Sequence, residues 1–140
     1  MNNAVTIVMI EDDEGHARLI EKNIVRAGVT NPIVHFPNGT TALAYLEKNG
    51  DSAKSLLVLL DLNLPDMTGI DILQRLKSHE GLKRAPVIVL TTTDDKGEIE
   101  RCYELGCNVY ITKPVGYDNF ANAIRQLGLF FSVIQVPESA

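Results

Sequence analysis

Leu56-Leu57-Val58-Leu59-Leu60-Asp61-Leu62-Asn63-Leu64-Pro65 runs five aliphatic side chains straight into a carboxylate. A continuous apolar run of this length reads as a strand buried on both faces, the kind found in the middle of a parallel sheet. Asp61 is then the last residue of that strand, at its carboxyl end, where open α/β sheets bind their ligands. A buried charge without a partner is costly, so Asp61 predicts a partner there. The plainer reading is a turn cap ahead of Pro65.

Upstream, Val5 to Ile10 is an apolar, β-branched run and predicts the first strand. It ends in four acids, Glu11-Asp12-Asp13-Glu14. A helix follows, with Ala17, Ile20, Ile24 and Ala27 on one face and Gly28 closing it. Pro32 to Phe36 predicts a short second strand, Asn38-Gly39 a turn, and Thr40 the cap of a helix carrying Ala42, Leu43 and Leu46 as far as Gly50. Downstream, Asp66-Met67-Thr68-Gly69 leads into a helix with Ile70, Leu73 and Leu76 on one face. Val87 to Leu90 predicts a fourth strand running into Thr91-Thr92-Thr93. Asp94 is placed to cap the next helix, with Ile99, Cys102 and Leu105, stopped by Gly106. Asn108 to Thr112 predicts a fifth strand before Lys113-Pro114, and a last helix starts near Asp118. Strict strand–helix alternation with buried strands specifies a parallel sheet covered on both faces. With right-handed crossovers the five-stranded solution is α/β and doubly wound, order 2-1-3-4-5, the flavodoxin-like arrangement.

The 140 residues suit one domain. Hydrophobic residues make up 45% and charged ones 22%, as in an ordinary soluble globular protein. The net charge of -5 argues against a general nucleic-acid or anionic-membrane surface. No cationic leader precedes an apolar core, and no run has the roughly 18 apolar residues of a membrane span. Cys102 and Cys107 read as reduced packing residues, which places the chain in the cytoplasm.

In the 2-1-3-4-5 order, strands 1 and 3 are neighbours. Their carboxyl ends carry Glu11, Asp12 and Asp61, and the ends of strands 4 and 5 carry Thr91 and Lys113. Three carboxylates together stay ionised only around a cation, and an all-oxygen set suits Mg²⁺. Lys113 is a point charge suited to a phosphate, Thr91 offers a hydroxyl, and a backbone carbonyl near Asn63 completes the acceptors. Such a site is suited to a metal and a transferring phosphoryl group, with a carboxylate as nucleophile. Each signal has a plain reading alone: acids favoured at a helix N-terminus, a surface lysine, β-forming threonines. Their placement at successive strand ends is what joins them. His16, His35 and His79 have no metal-ligand spacing and read as bystanders.

On the Glu11-Asp12 pair, Asp61 within Asp-Leu-Asn-Leu-Pro, Gly69, Thr91 and Lys113-Pro114, the chain resembles the receiver domains of bacterial two-component response regulators over roughly Val5 to Leu127. The resemblance implies Asp61 as the phosphoacceptor. It implies Mg²⁺ held by Asp12, Asp61 and the Asn63 carbonyl, with Glu11 acting through water. It implies Thr91 and Lys113 on the phosphoryl oxygens, Tyr110 as the aromatic whose rotamer reports phosphorylation, and a cis Lys113-Pro114 bond. Glu11 departs from the family's commoner aspartate and is longer. The segment Gly116 to Pro137 resembles the single-domain regulators paired with bacterial phytochromes.

The expected function is therefore a stand-alone phosphorylation switch and not an enzyme in its own right. A sensor histidine kinase, by resemblance a bacterial phytochrome, supplies the phosphoryl group, and a protein contact or phosphorelay carries the output. An aspartate phosphatase of the haloacid-dehalogenase kind needs a second aspartate two residues after the first, where Asn63 stands. A flavodoxin needs a phosphate loop after strand 1, where the four acids stand. Finally, Phe120, Ile124, Leu127, Phe131 and Ile134 form one apolar stripe, and Leu129, Phe130 and Val133 widen it. A C-terminal helix or arm over about 128–140 would leave that patch in water, so the segment predicts a homodimer.

Overall fold

The structure, a computed structural model, describes residues 5–26, 29–50, 56–92, 94–113, 118, 121–123 and 125–126. Strands β1 (Thr6–Ile10), β2 (Ile33–Phe36), β3 (Leu56–Asp61), β4 (Val87–Thr91) and β5 (Val109–Thr112) alternate with helices α1 (Glu14–Arg26), α2 (Gly39–Gly50), α3 (Gly69–Ser78) and α4 (Lys96–Glu104). All strand pairs are parallel, in the order β2-β1-β3-β4-β5. Every residue of β3 is buried, as its unbroken apolar run requires.

The pleat sends alternate side chains to opposite faces. Val8, Ile10, Val58, Leu60, Val87 and Val89 pack against α2 and α3 in one cluster, which Cys102 and Cys107 also join. Ile7, Met9, Leu57, Leu59, Ile88 and Leu90 form the other with Ala17, Ile20 and Ile24 of α1. Both cysteines are free and buried, and burial pushes the Cys107 thiol up to about 12, so these are packing residues. Residues 121–123 and 125–126 are helical, and Ala123 packs on the α1 face.

Local details differ from expectation by small steps. Asn38, not Thr40, accepts the Thr41 N–H at the start of α2. Asp95, not Asp94, caps α4 through the Glu98 N–H. Ile72 joins Leu73 and Leu76 on the buried face of α3, while Ile70 is only partly buried. In each case two neighbouring residues offer the same chemistry, and tertiary packing selects one. Ala27, Gly28, Pro114, Phe120, Ile124, Leu127, Phe130, Phe131 and Ile134 lie outside the described residues, so the expected closure of α1 at Gly28, the Lys113-Pro114 bond and the dimer stripe do too.

The β3–α3 loop closes on itself. The Gly69 N–H donates to the Leu62 carbonyl at 2.8 Å, and Asn63 bridges Thr68. A Cβ on Gly69 would lie 2.6 Å from Leu62 Cα and 2.7 Å from the Asp61 carbonyl oxygen. Both are backbone atoms and cannot rotate away. Gly69→Ala is therefore expected to lower stability by about 2 kcal/mol, the scale of overpacking a tight site, measured by chemical denaturation.

Candidate functional site

Glu11 follows β1, Asp61 ends β3, Thr91 ends β4, and Lys113 follows β5. Continuing the pleat by one residue past β1 and β5 puts Glu11, Asp61 and Lys113 on the α1 face. It puts Thr91 and Tyr110 on the opposite face, where β4 and β5 pair Val89 with Tyr110 and Thr91 with Thr112. The sheet thus sorts these residues into two sets before any side chain contact forms.

The first set is joined by Lys113. Its ammonium donates to Glu11 Oε1 at 2.6 Å and to Asp61 Oδ2 at 3.3 Å, and all three side chains are at least nine-tenths buried. The Lys113 backbone N–H donates to the Thr91 carbonyl at 2.6 Å, which fixes the root of the lysine to the end of β4. Backbone N–H groups turn back to the acids: Asp13 to Glu11 Oε2, and Asn63 to Asp61 Oδ1, each at 3.2 Å. Burial pushes the Glu11 carboxyl up; the Lys113 hydrogen bond opposes that, and the Asp61 charge adds to it.

Asp12 is exposed, and one carboxylate oxygen from each of Glu11, Asp12 and Asp61 can lie within 4.8 Å of the others. Two unit charges at such a distance repel by about 3 kcal/mol at an effective dielectric of about 20. That exceeds the roughly 1 kcal/mol net value of an ordinary hydrogen bond, so positive charge beyond that of Lys113 would stabilise the set. Three carboxylates against one ammonium leave two negative charges over, which matches a divalent ion. The donors are all oxygens, the chemistry of a hard cation such as Mg²⁺. The residues present fit the ion that the sequence predicts.

Thr91 is fully buried, and Tyr110 is partly buried against the α2/α3 cluster. Burial pushes the Tyr110 hydroxyl above the usual phenol range, with the neighbouring Cys102 thiol acting the same way. Asn63 is exposed, two residues beyond Asp61, and carries no acid for proton transfer.

A profile of the response regulator receiver domain matches residues 7–125. The chain belongs to the response regulator receiver domain family. A receiver domain from Rhodospirillum rubrum is 67% identical, with a TM-score of 0.78 over 91% of this chain and 94% of that one. The response regulator Rcp1 of Synechocystis is 34% identical over 99% of this chain and 89% of its own length. Its Mn²⁺-bound form superposes with a TM-score of 0.73 at 29% identity, over 90% of this chain and 93% of that one. The phosphorylated cyanobacterial phytochrome response regulator RcpA is 33% identical, with a TM-score of 0.74 over 89% of this chain and 91% of that one. The receiver domain is a signalling domain, and the acidic cluster lies at its expected place. No described helix is long and apolar enough to cross a membrane.

Three residues of this receiver's site region had no signal in spacing alone. His16, in the first turn of α1, lies 3.2 Å from Lys113 Nζ through Nδ1, and 3.8 Å from Glu11 Oε2. His35 Nε2 lies 2.7 Å from the Glu11 carbonyl oxygen. Both touch the end of β1 or its partner from other elements. Only the position of His16, one helical turn after Asp12, hinted at it. The third is Asp66. From the β3–α3 loop it accepts the Gly39 N–H at 2.9 Å, the Thr40 N–H at 2.7 Å and the Thr40 hydroxyl, latching the loop to the N-terminus of α2.

The Thr40 hydroxyl, and after it the Gly39 N–H, hold the Asp66 carboxyl down from the ordinary 3.8 to about 2. The folded state thus binds that proton less readily than the unfolded chain. The stabilisation is complete above pH 3.8 and disappears as pH falls through about 2. Asp66→Asn is expected to lower the thermal midpoint at neutral pH, with the gap between variant and parent closing across that acid window in calorimetric scans.

Proposed function

We propose that this chain is a stand-alone response regulator whose Asp61 takes a phosphoryl group from a sensor histidine kinase and changes its protein contacts as a result. The observation that carries this is the buried meeting of Asp61, Glu11 and Lys113 beside exposed Asp12. An Asp61 carboxylate oxygen attacks phosphorus as the bond to the kinase histidine nitrogen breaks and the imidazole leaves. Water later attacks the same phosphorus, the bond to Asp61 breaks, and carboxylate and inorganic phosphate are returned. Lys113 gives a donor to a phosphoryl oxygen in both steps, and the Thr91 hydroxyl gives another. Asp12, Asp61 and the Asn63 carbonyl would hold Mg²⁺, with Glu11 acting through water. When bound, the ion supplies charge neutralisation at the phosphoryl oxygens.

Thr91 and Tyr110 share the sheet face opposite α1, which supports a route for the signal. A phosphoryl oxygen draws the Thr91 hydroxyl inward, and the space it leaves admits the Tyr110 ring. Both arrangements are sampled, and the phosphoryl group favours one. The relationship to RcpA, a phytochrome response regulator solved in phosphorylated form, supports a bacterial phytochrome as the kinase. Output then runs through a downstream protein or a phosphotransfer partner in the cytoplasm. Residues of about 5–127 form the single receiver core of this reading.

Incubation with acetyl phosphate and Mg²⁺ should give a base-labile adduct on Asp61, read by mass spectrometry. Asp61→Asn should abolish it; an equal yield at another site would remove the assignment.

The apolar C-terminal stripe of Phe120, Ile124, Leu127, Phe130, Phe131 and Ile134 supports a homodimer. Light scattering at micromolar concentration should give a dimer for the full chain and a monomer after truncation at Gln126. A monomeric full chain removes the dimer.

A further inference from the structure

We infer that His16 is a positioning residue for Lys113, holding the ammonium so that one donor stays aimed at Asp61. The inference rests on the reading of Asp61 as phosphoacceptor, and it concerns a residue outside the motif set that supports that reading.

An ammonium has three N–H donors and no acceptor. Lys113 has three acceptors around Nζ: Glu11 Oε1 at 2.6 Å, His16 Nδ1 at 3.2 Å and Asp61 Oδ2 at 3.3 Å. The match leaves no donor over. His16 accepts through Nδ1 in the tautomer that carries its proton on Nε2. The three acceptors differ in what else claims them. Asp61 is to be phosphorylated. Glu11 and Asp61 both belong to the oxygen cluster that suits a divalent ion. His16 belongs to neither, and it comes from a different element.

Once cation and phosphoryl group draw on the two carboxylates, the imidazole is the one acceptor that neither claims. A lysine stem has four rotatable carbons and wanders unless its head is tied. Tying one donor to Glu11 fixes rotation about the last bond; a second tie to His16 fixes where the head sits. The third donor then points to the Asp61 oxygen, where the phosphoryl oxygen arrives. His16 is itself held. Its backbone N–H donates to Asp13 Oδ1 at 2.9 Å, which anchors the first turn of α1. Its ring is 47% exposed against 6% for the Lys113 side chain, so it lies on the solvent side of the lysine. From there it also limits how far the ammonium can swing out into water.

The test compares the parent with His16→Ala, which removes the acceptor, and His16→Gln, which restores a side-chain oxygen of similar reach. Asp61 phosphorylation by acetyl phosphate at saturating Mg²⁺ should slow about five-fold in His16→Ala, the scale of one lost hydrogen bond, and recover in His16→Gln. Mg²⁺ affinity should not change in either, and the thermal midpoint should fall in His16→Ala by only the few degrees that one hydrogen bond is worth. A second readout uses metal-free, unphosphorylated protein. The Lys113 ¹⁵Nζ ammonium resonance should be protected from exchange in the parent and in His16→Gln, and lose that protection in His16→Ala. Parent-like phosphorylation in His16→Ala overturns the inference, and so do equally slow Ala and Gln variants. If the parent itself takes no phosphoryl group on Asp61, the phosphoacceptor reading fails. The lysine resonance then judges the His16 tie alone, and unchanged protection in His16→Ala overturns it.

Discussion

The site depends on one ammonium holding two buried carboxylates apart from their mutual repulsion. Glu11 and Asp61 come from neighbouring strands, and a parallel sheet brings their ends to the same edge whether or not their charges agree. Buried and alone, such a pair would favour protonation, and the upward push on Glu11 expresses that tendency. Lys113 offsets part of it from the far end of the sheet. A 2.6 Å bond between its own backbone N–H and the Thr91 carbonyl keeps it there. Lysine, strand end and carboxylates therefore form one unit, and a change in any of them alters the charge balance of the others.

That unit is left one negative charge over, two once Asp12 is counted, and the excess gives the site its chemical character. A fully neutralised cluster would be a structural ion pair, of weak benefit to stability. The exposed Asp12 adds a negative charge where solvent can reach it, so the cluster has an open side. The same sheet that assembles the charges also places Thr91 and Tyr110 on its opposite face. Events at the acids and events at the aromatic are thus separated by the thickness of one strand, β4.

The fold was legible because periodicity is a property of many residues at once. The β3 run and the alternation of strands with amphipathic helices are unaffected by a single ambiguous position. Where one residue decides, sequence reading slipped by one or two positions: Asn38 for Thr40, Asp95 for Asp94, Ile72 for Ile70. Glu11, Asp12, Asp61, Thr91 and Lys113 could be placed because each stands at a strand end, and topology brings strand ends together. His16 and His35 reach the region from an adjoining helix and an edge strand, through side-chain directions that spacing does not encode. Asp66 was hidden for a similar reason. Its partners, Gly39 and Thr40, lie about 26 residues away, and a loop aspartate looks the same whether or not it caps a helix.

The Asp66 latch also bears on how the molecule opens. The first turn of a helix has orphan N–H groups, and here a carboxylate from another loop covers two of them. Releasing the β3–α3 loop exposes those amides, and fraying the start of α2 frees the loop. The two segments thus share one local opening free energy and behave as a single cooperative patch in amide hydrogen exchange. That patch begins five residues after Asp61, so the loop leading away from the site shares its opening with the start of α2 and not with the buried strand β3.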